Sequence, residues 1–264
     1  MTQESKVAVV TGAGTGIGRA TCLRLAERGW RIVVNYNRSE AEAKDTAAEC
    51  ERLGTEAITH QANVAEDSDC RGLAEAAVAR WGRIDGLVNN AGITKVAAGH
   101  DLDALSADDF HDIYAINVVG AYQMTRAVAP AMKRGGKGSI VNVSSIVGLV
   151  GGGSSTAYAA SKGALNTLTL ALARGLAPEI RVNALCPSFV ETRWVTGKMS
   201  AEAYTNAKAA VEEAAPLRRI CMPEDVAEAA VWFLEGGELI TGEILVIDGG
   251  IHLFSLGAAY KPAR

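Results

Sequence analysis

Apolar residues along this chain fall into two alternating textures. Short β-branched runs with little polar alternation occupy residues 6–11 (KVAVVT), 31–35, 84–89, 139–143 and 181–185, as strands buried on both faces do. Residues 56–60 and 243–247 read as two further strands. Between the runs, residues 17–28, 39–53, 66–81 and 158–176 show the three-to-four-residue apolar period of amphipathic helices. A long helix is predicted from Ser106, where Asp109 three positions on approximates a capping box, to about residue 134. Pro130 is expected to bend that helix or mark a boundary in it. Pro223 sits in the first turn of a last helix reaching Leu234. About seven strands alternating with helices predict an α/β chain: one doubly wound domain spanning residues 1–264, with a parallel sheet, helices on both faces and right-handed crossovers. No linker, repeat or low-complexity run divides it. Residues 191–216, helical and alanine-rich without strand pattern, follow a strand's carboxyl end and are expected to form a substrate-binding lid.

Composition removes several function classes. With 48% hydrophobic and 21% charged residues and a formal net charge of −4, the chain does not predict the basic face of a nucleic-acid binder. No apolar run reaches the ~18 residues a membrane helix needs, so no membrane partner is expected. The start, MTQESKVAVV, lacks a basic stretch followed by an apolar one, so no secretory leader is expected and a cytoplasmic location is. Cys22, Cys50, Cys70, Cys186 and Cys221 are scattered, without Cys-x-x-Cys, and read as reduced thiols. His60, His100, His111 and His252 show no ligand spacing, and no metal site is predicted.

Two stretches carry chemistry. The first predicted strand runs straight into Gly12-Ala13-Gly14-Thr15-Gly16-Ile17-Gly18, then into a helix and a second strand. Gly12, Gly16 and Gly18 permit a tight turn and close backbone approach, and the helix start offers unpaired N–H groups and partial positive charge to a pyrophosphate. This is the first unit of a dinucleotide-binding sheet. The second stretch, residues 144–162 (SSIVGLVGGGSSTAYAASK), places Tyr158 and Lys162 one helical turn apart on one face. An ammonium near a phenol is expected to lower its pKa, tuning Tyr158 to exchange a proton near neutral pH, with Ser145 holding a substrate oxygen beside it. Given 6 Tyr and 9 Lys in the chain, Tyr-x-x-x-Lys arises by chance in roughly one such sequence in five, so its meaning depends on the glycine turn.

Thr11-Gly12-x-x-x-Gly16-x-Gly18, Asn89-Asn90-Ala91-Gly92 and Tyr158-x-x-x-Lys162, in that order, resemble the short-chain dehydrogenase/reductase family over nearly the whole chain. The resemblance implies a Rossmann fold and the catalytic set Asn117, Ser145, Tyr158 and Lys162. Ser145 rather than Ser144 is selected because the family's serine lies thirteen residues before the tyrosine. Tyr158 is then expected to protonate a carbonyl oxygen, Ser145 to orient it, Lys162 to bond the nicotinamide ribose, and the Asn117 backbone to hold a relay water. Hydride delivery builds negative charge on that oxygen, and two positioned hydroxyls suit it.

For the cofactor, the resemblance assigns Gly12, Thr15, Gly16, Ile17 and Gly18 to the pyrophosphate turn and Asn63 and Val64 to the adenine. Asn90, Ala91 and Gly92 are assigned to the adenine ribose by backbone, with Asn89 tying neighbouring strands. Tyr158, Lys162, Pro187, Val190 and Thr192 are expected around the nicotinamide and its ribose. The second strand ends VVNYNRSE, with Tyr36 where NAD-preferring members carry an acid. Without a carboxylate to repel a 2′-phosphate, and with Arg38 and Ser39 to pair with one, the expectation is NADP(H) in preference to NAD(H). Thr15 stands where many NADPH reductases carry a second arginine, and Ser188 replaces a common glycine.

Within the family the chain resembles 3-oxoacyl-[acyl-carrier-protein] reductases and the carbonyl reductases around them, implying a small carbonyl substrate or an acyl thioester. Glu179 and Gly136 occupy positions that are basic in carrier-protein reductases, although Lys133, Arg134 and Lys137 lie close by. The segment between Gly92 and Asn117 is a few residues longer than in those relatives. Trp194, Met199 and Tyr204 of the lid read as pocket lining or as packing. The alternatives are a non-catalytic NADP-binding sensor or scaffold, an NAD-dependent dehydrogenase of a small alcohol or sugar, and a nucleotide-sugar epimerase. Intact Asn117, Ser145, Tyr158 and Lys162 argue against the first, and chain length against the last. A homo-oligomer, dimer or tetramer, is implied, with Leu253, Phe254 and Leu256 of the tail apolar enough to pack on a neighbour.

Overall fold

A computed structural model describes residues 5–197 and 200–254. Alternation begins with β1 (Val7–Val10), α1 (Gly16–Glu27), β2 (Arg31–Tyr36), α2 (Glu40–Arg52), β3 (Ala57–Gln61), α3 (Asp67–Trp81) and β4 (Gly86–Asn89). It continues with α4 (Ala107–Tyr114), α5 (Ala121–Arg134), β5 (Gly138–Val143), the short α6 (Val147–Val150), α7 (Thr156–Leu176) and β6 (Ile180–Pro187). After β6 come α8 (Arg193–Thr196) and α9 (Ala201–Ala214), followed by α10 (Pro223–Glu235) and β7 (Ile244–Ile247). All pairings are parallel, in the order β3-β2-β1-β4-β5-β6-β7. The sheet is the doubly wound one that the alternation predicts, and its strand order reverses between β1 and β4.

Strands without polar alternation are explained by burial from both sides. Ala8, Val10, Ile32, Val34, Val88 and Val141 share one core with Cys22 and Leu25 of α1, Ala43 and Ala47 of α2, and Val231 and Phe233 of α10. Val7, Val9, Val33, Leu87 and Ile140 face the other way, onto Leu73 and Ala77 of α3 and Met124, Val128 and Met132 of α5. Successive residues of one strand thus serve opposite helical layers, so both parities must be apolar.

The long helix after Ser106 differs from expectation. Ser106 and Asp109 do form a reciprocal capping box. The helix then changes to π geometry over Ala115–Gly120 before α5 resumes. Pro130 lies inside α5 and marks no boundary. The irregularity sits instead where Asn117 turns inward, with its side chain bonded outside its own helix. Lys198, Met199 and residues 255–264, including Leu256, lie outside the described residues.

Candidate active site

Each motif lies at the carboxyl end of a strand, which brings residues from Gly12 to Thr192 to one edge of the sheet. After β1, Gly12 and Gly16 adopt φ of +60° and +55°, the left-handed region that a side chain disfavours. Gly18 is needed for a different reason: a Cβ there would sit 2.5 Å from the Gly12 carbonyl oxygen and 2.6 Å from Asn90 Nδ2. Thr15 is the extended N-cap of α1 and offers no side-chain cap, and no acid occupies the first turn. The opening N–H groups of α1 thus present partial positive charge without a side-chain acceptor of their own. Ile17 packs against the core behind them.

Three polar residues brace this turn. Asn90 Nδ2 donates to the carbonyls of Thr11 (2.9 Å) and Gly12 (3.0 Å). Thr11 Oγ1 accepts from the Asn90 and Ala91 amides. Asn35 Oδ1 accepts from the Gly12 amide at 3.1 Å. Asn35 and the side-chain work of Asn90 escaped the sequence reading, because their partners lie 23 and 78 or more residues away. Asn89, as expected, ties β4 to β5 through Asn142 Oδ1 at 2.9 Å. Gly92 lies beside the Tyr-Lys pair: a Cβ there would be 3.3 Å from Asn117 Oδ1 and 3.8 Å from Lys162 Nζ.

At the adenine end, Arg38 is exposed just past β2, and Ser39 approaches Gly14 so closely that a Cβ on Gly14 would sit 3.0 Å from Ser39 Oγ. Tyr36, at the position of the missing acid, is buried in the core. Asn63 Oδ1 accepts from the Ala65 amide at 3.2 Å. Val64 is buried against Gly120, where a Cβ would meet Val64 Cγ2 at 2.7 Å.

The structure brings Asn117, Ser145, Tyr158 and Lys162 together. The Ser145 hydroxyl acts on the Tyr158 phenol, working against the effect of burial on its pKa, and Ser145 Oγ lies 3.4 Å from the Pro187 carbonyl oxygen. Ser144 points elsewhere, donating to the Lys162 carbonyl at 3.1 Å. Lys162 is buried; its Nζ donates to the Val143 carbonyl at 2.8 Å and stands 5.6 Å from the Tyr158 ring centroid. Asn117, also buried, accepts from the Ile93 amide and donates to Ser161 Oγ. Gly148 of α6 seats this set, since a Cβ there would lie 2.6 Å from the Lys162 carbonyl carbon.

One expectation is reversed. Lys162 does not lower the Tyr158 pKa here; burial pushes the phenol up to about 12, the Ser145 hydrogen bond opposing it. Burial also pulls Lys162 down to about 8. The ammonium stands 5.6 Å from the ring centroid, and the loss of water around a phenolate sets the direction of the shift. That direction keeps the Tyr158 phenol neutral at pH 7, beside a lysine that burial draws down to about 8.

Residues 190–194 run along this edge. Val190 is buried and bridges to Cys221. Thr192 places its methyl 3.2 Å from where a Cβ on Gly16 would lie. Trp194 comes to 6.2 Å from the Tyr158 ring, tilted by 45°, while Phe189 and Tyr204 stack at 6.0 Å. Among the described residues, no three His, Cys, Asp or Glu side chains gather as a metal would need, and no helix is long and apolar enough to cross a membrane.

Comparison with known proteins shows the family to which the chain belongs. A family model for enoyl-(acyl carrier protein) reductase matches residues 12–252. The chain is 41% identical to a protein named as a ketoacyl reductase of the granaticin polyketide synthase of Streptomyces violaceoruber, covering 95% of this chain and 97% of that one. It is 37% identical to the 3-oxoacyl-[acyl-carrier-protein] reductase FabG of Thermotoga maritima, covering 95% and 99%. A solved structure from Burkholderia xenovorans, named as a short-chain dehydrogenase/reductase, superposes with a TM-score of 0.88 at 39% identity, covering 95% of this chain and 99% of that one.

Proposed function

The chain belongs to the short-chain dehydrogenase/reductase family, and on that footing we propose that it reduces a ketone to a secondary alcohol with NADPH, 3-oxoacyl thioesters being the leading substrate class. The pairing of the Ser145 hydroxyl with the Tyr158 phenol, with Lys162 Nζ 5.6 Å from the Tyr158 ring centroid, carries the reading. Two hydroxyls meeting at one point suit a single oxygen gaining negative charge. Tyr158, protonated at neutral pH, gives that oxygen its proton while Ser145 donates a second hydrogen bond. Lys162 holds positive charge behind the ring, and Asn117 fixes the strand–loop edge at Ile93 beside it.

The residues present fit a nicotinamide dinucleotide. Its pyrophosphate suits the uncapped start of α1 and the glycine floor that a Cβ would fill. When bound, the cofactor supplies the hydride. Arg38 and Ser39, with no carboxylate at the end of β2, support NADPH over NADH. Five buried, unpaired thiols suit a reducing compartment such as the cytoplasm. Exposed Val119, Tyr122, Leu149, Val150 and Leu170 support a homo-oligomer.

The test follows NADPH oxidation against 3-oxoacyl thioesters, diketones, quinones and keto-sugars, with a 2-enoyl thioester as a competing arm. Turnover of a ketone by the wild type and its loss in Tyr158→Phe, with NADPH still bound, is the expected result. Preference for the enoyl thioester, or full turnover by Tyr158→Phe, overturns the reading.

A further inference from the structure

The lid is fastened on both sides of the glycine turn. On its near side, Val190 pairs with Cys221 and the Glu191 amide donates to the Cys221 carbonyl. Glu191 also holds Lys208 of α9 at 3.1 Å, so the second lid helix is tied to the same hinge. The chain then crosses the opening of α1, with Thr192 lying on Gly16. On the far side Arg193 reaches the first turn of α2, where its guanidinium donates to Glu42 Oε1 at 2.9 Å, across 151 residues of sequence. Glu42 lies one helical turn beyond Ser39, which itself abuts Gly14. Gly14, Ser39, Glu42, Arg193, Thr192 and Gly16 therefore form a closed ring around the N-terminus of α1.

We propose that the Arg193–Glu42 ion pair is a clasp that holds the lid over this turn and sets how fast a nucleotide bound there leaves. The proposal rests on the cofactor reading given above. An ion pair is suited to this task because it is half-exposed, with side-chain accessibilities of 65% and 38%. Such a pair is weak and screened by salt, so it opens readily. Its guanidinium holds the Glu42 carboxyl below its usual range, so the carboxylate stays charged at neutral pH. The pair does two things at once. It closes the ring across α1, and it neutralises one of the two carboxylates in the first turn of α2 beside Ser39, where a 2′-phosphate would otherwise meet negative charge. The other, Glu40, is paired with Lys44. The short helix that carries Arg193 presents Trp194 to Tyr158, so lid closure and the wall of the reaction site are set by one contact. Arg193 acts as a positioning residue in this account.

The experiment measures NADPH release by stopped-flow fluorescence for the wild type, Arg193→Gln, Glu42→Gln and the double variant. Release is expected to quicken about three- to fivefold in each single variant, the effect of losing a weak surface pair. The double variant should be no faster than either single one, since one contact is lost in all three. Added salt should speed release from the wild type and leave the variants unchanged in relative terms. Hydrogen exchange without nucleotide gives an independent readout: the amides of residues 16–19 should exchange faster in both single variants. If Arg193 instead contacts phosphate directly, only Arg193→Gln quickens release and Glu42→Gln does not, which overturns the clasp. Unchanged release and exchange in both single variants overturns it too. A wild type that binds neither NADPH nor NADH defeats the cofactor reading itself, whereas tight binding with unaltered variants defeats only the clasp.

Discussion

Adding one methyl group at Gly18 separates the space requirement of the turn from ordinary helix chemistry. A Cβ there would lie 2.5 Å from Gly12 O, 2.6 Å from Asn90 Nδ2 and 2.9 Å from Ala13 Cα. Two of these neighbours are backbone, so relief requires the turn itself to move. Overpacking of this kind costs about 1–3 kcal/mol. Displacing Asn90 also weakens its bonds to the Thr11 and Gly12 carbonyls, each worth about 1 kcal/mol. Alanine's helix preference returns up to ~1 kcal/mol. Gly18→Ala should therefore lose about 2 kcal/mol, lowering Tm by roughly 4–8 °C at 2–4 °C per kcal/mol, and weaken NADPH binding at least tenfold. Gly175→Ala in α7 is the control: no atom lies within 4 Å of its Cβ position, so only the helix gain of up to ~1 kcal/mol remains. Thermal unfolding and nucleotide titration of both variants give the answer. A Gly18→Ala protein as stable as Gly175→Ala, binding NADPH as tightly as the wild type, would refute the argument.

Further outcomes follow from the same contacts. Because burial places Lys162 near a pKa of about 8, its charge is present below that pH and lost above it. Ketone reduction should fall as pH rises through about 8, and Lys162→Arg, which keeps its charge, should move that limb upward in kcat/KM profiles; an unmoved limb argues against Lys162. Gly148→Ala, whose Cβ would meet Lys162 backbone at 2.6 Å, should cut kcat more than it raises the NADPH dissociation constant, since the clash lies behind the Tyr-Lys pair. Arg38→Gln should reduce the kcat/KM ratio of NADPH to NADH by about tenfold, as losing a charge-assisted phosphate contact would; an unchanged ratio would remove Arg38 from the cofactor site.

Much of this protein was legible without coordinates, because the signals are local. Strand–turn–helix order, the position of Pro223 and the Ser106–Asp109 cap depend on neighbours within a few residues. Burial of a parallel sheet on both faces writes itself into runs such as VAVV, where adjacent residues serve opposite cores. The spacing from Ser145 to Lys162 also survives translation into space, because the short α6, the glycine turn after it and the start of α7 carry it.

Contacts across the sheet edge were decided only by the fold. Asn35, Asn90 and Thr11 brace the glycine turn from distant strands, and nothing in their local sequence marks them. The helix after Ser106 changes to π geometry at Asn117, whose amide bonds across to Ile93 and Ser161, whereas Pro130, the visible irregularity, is accommodated. The sign of the Tyr158 shift belongs to the same class. Sequence spacing gives the distance between a phenol and an ammonium, but the balance between their attraction and the loss of water depends on burial, and burial is a property of the whole chain.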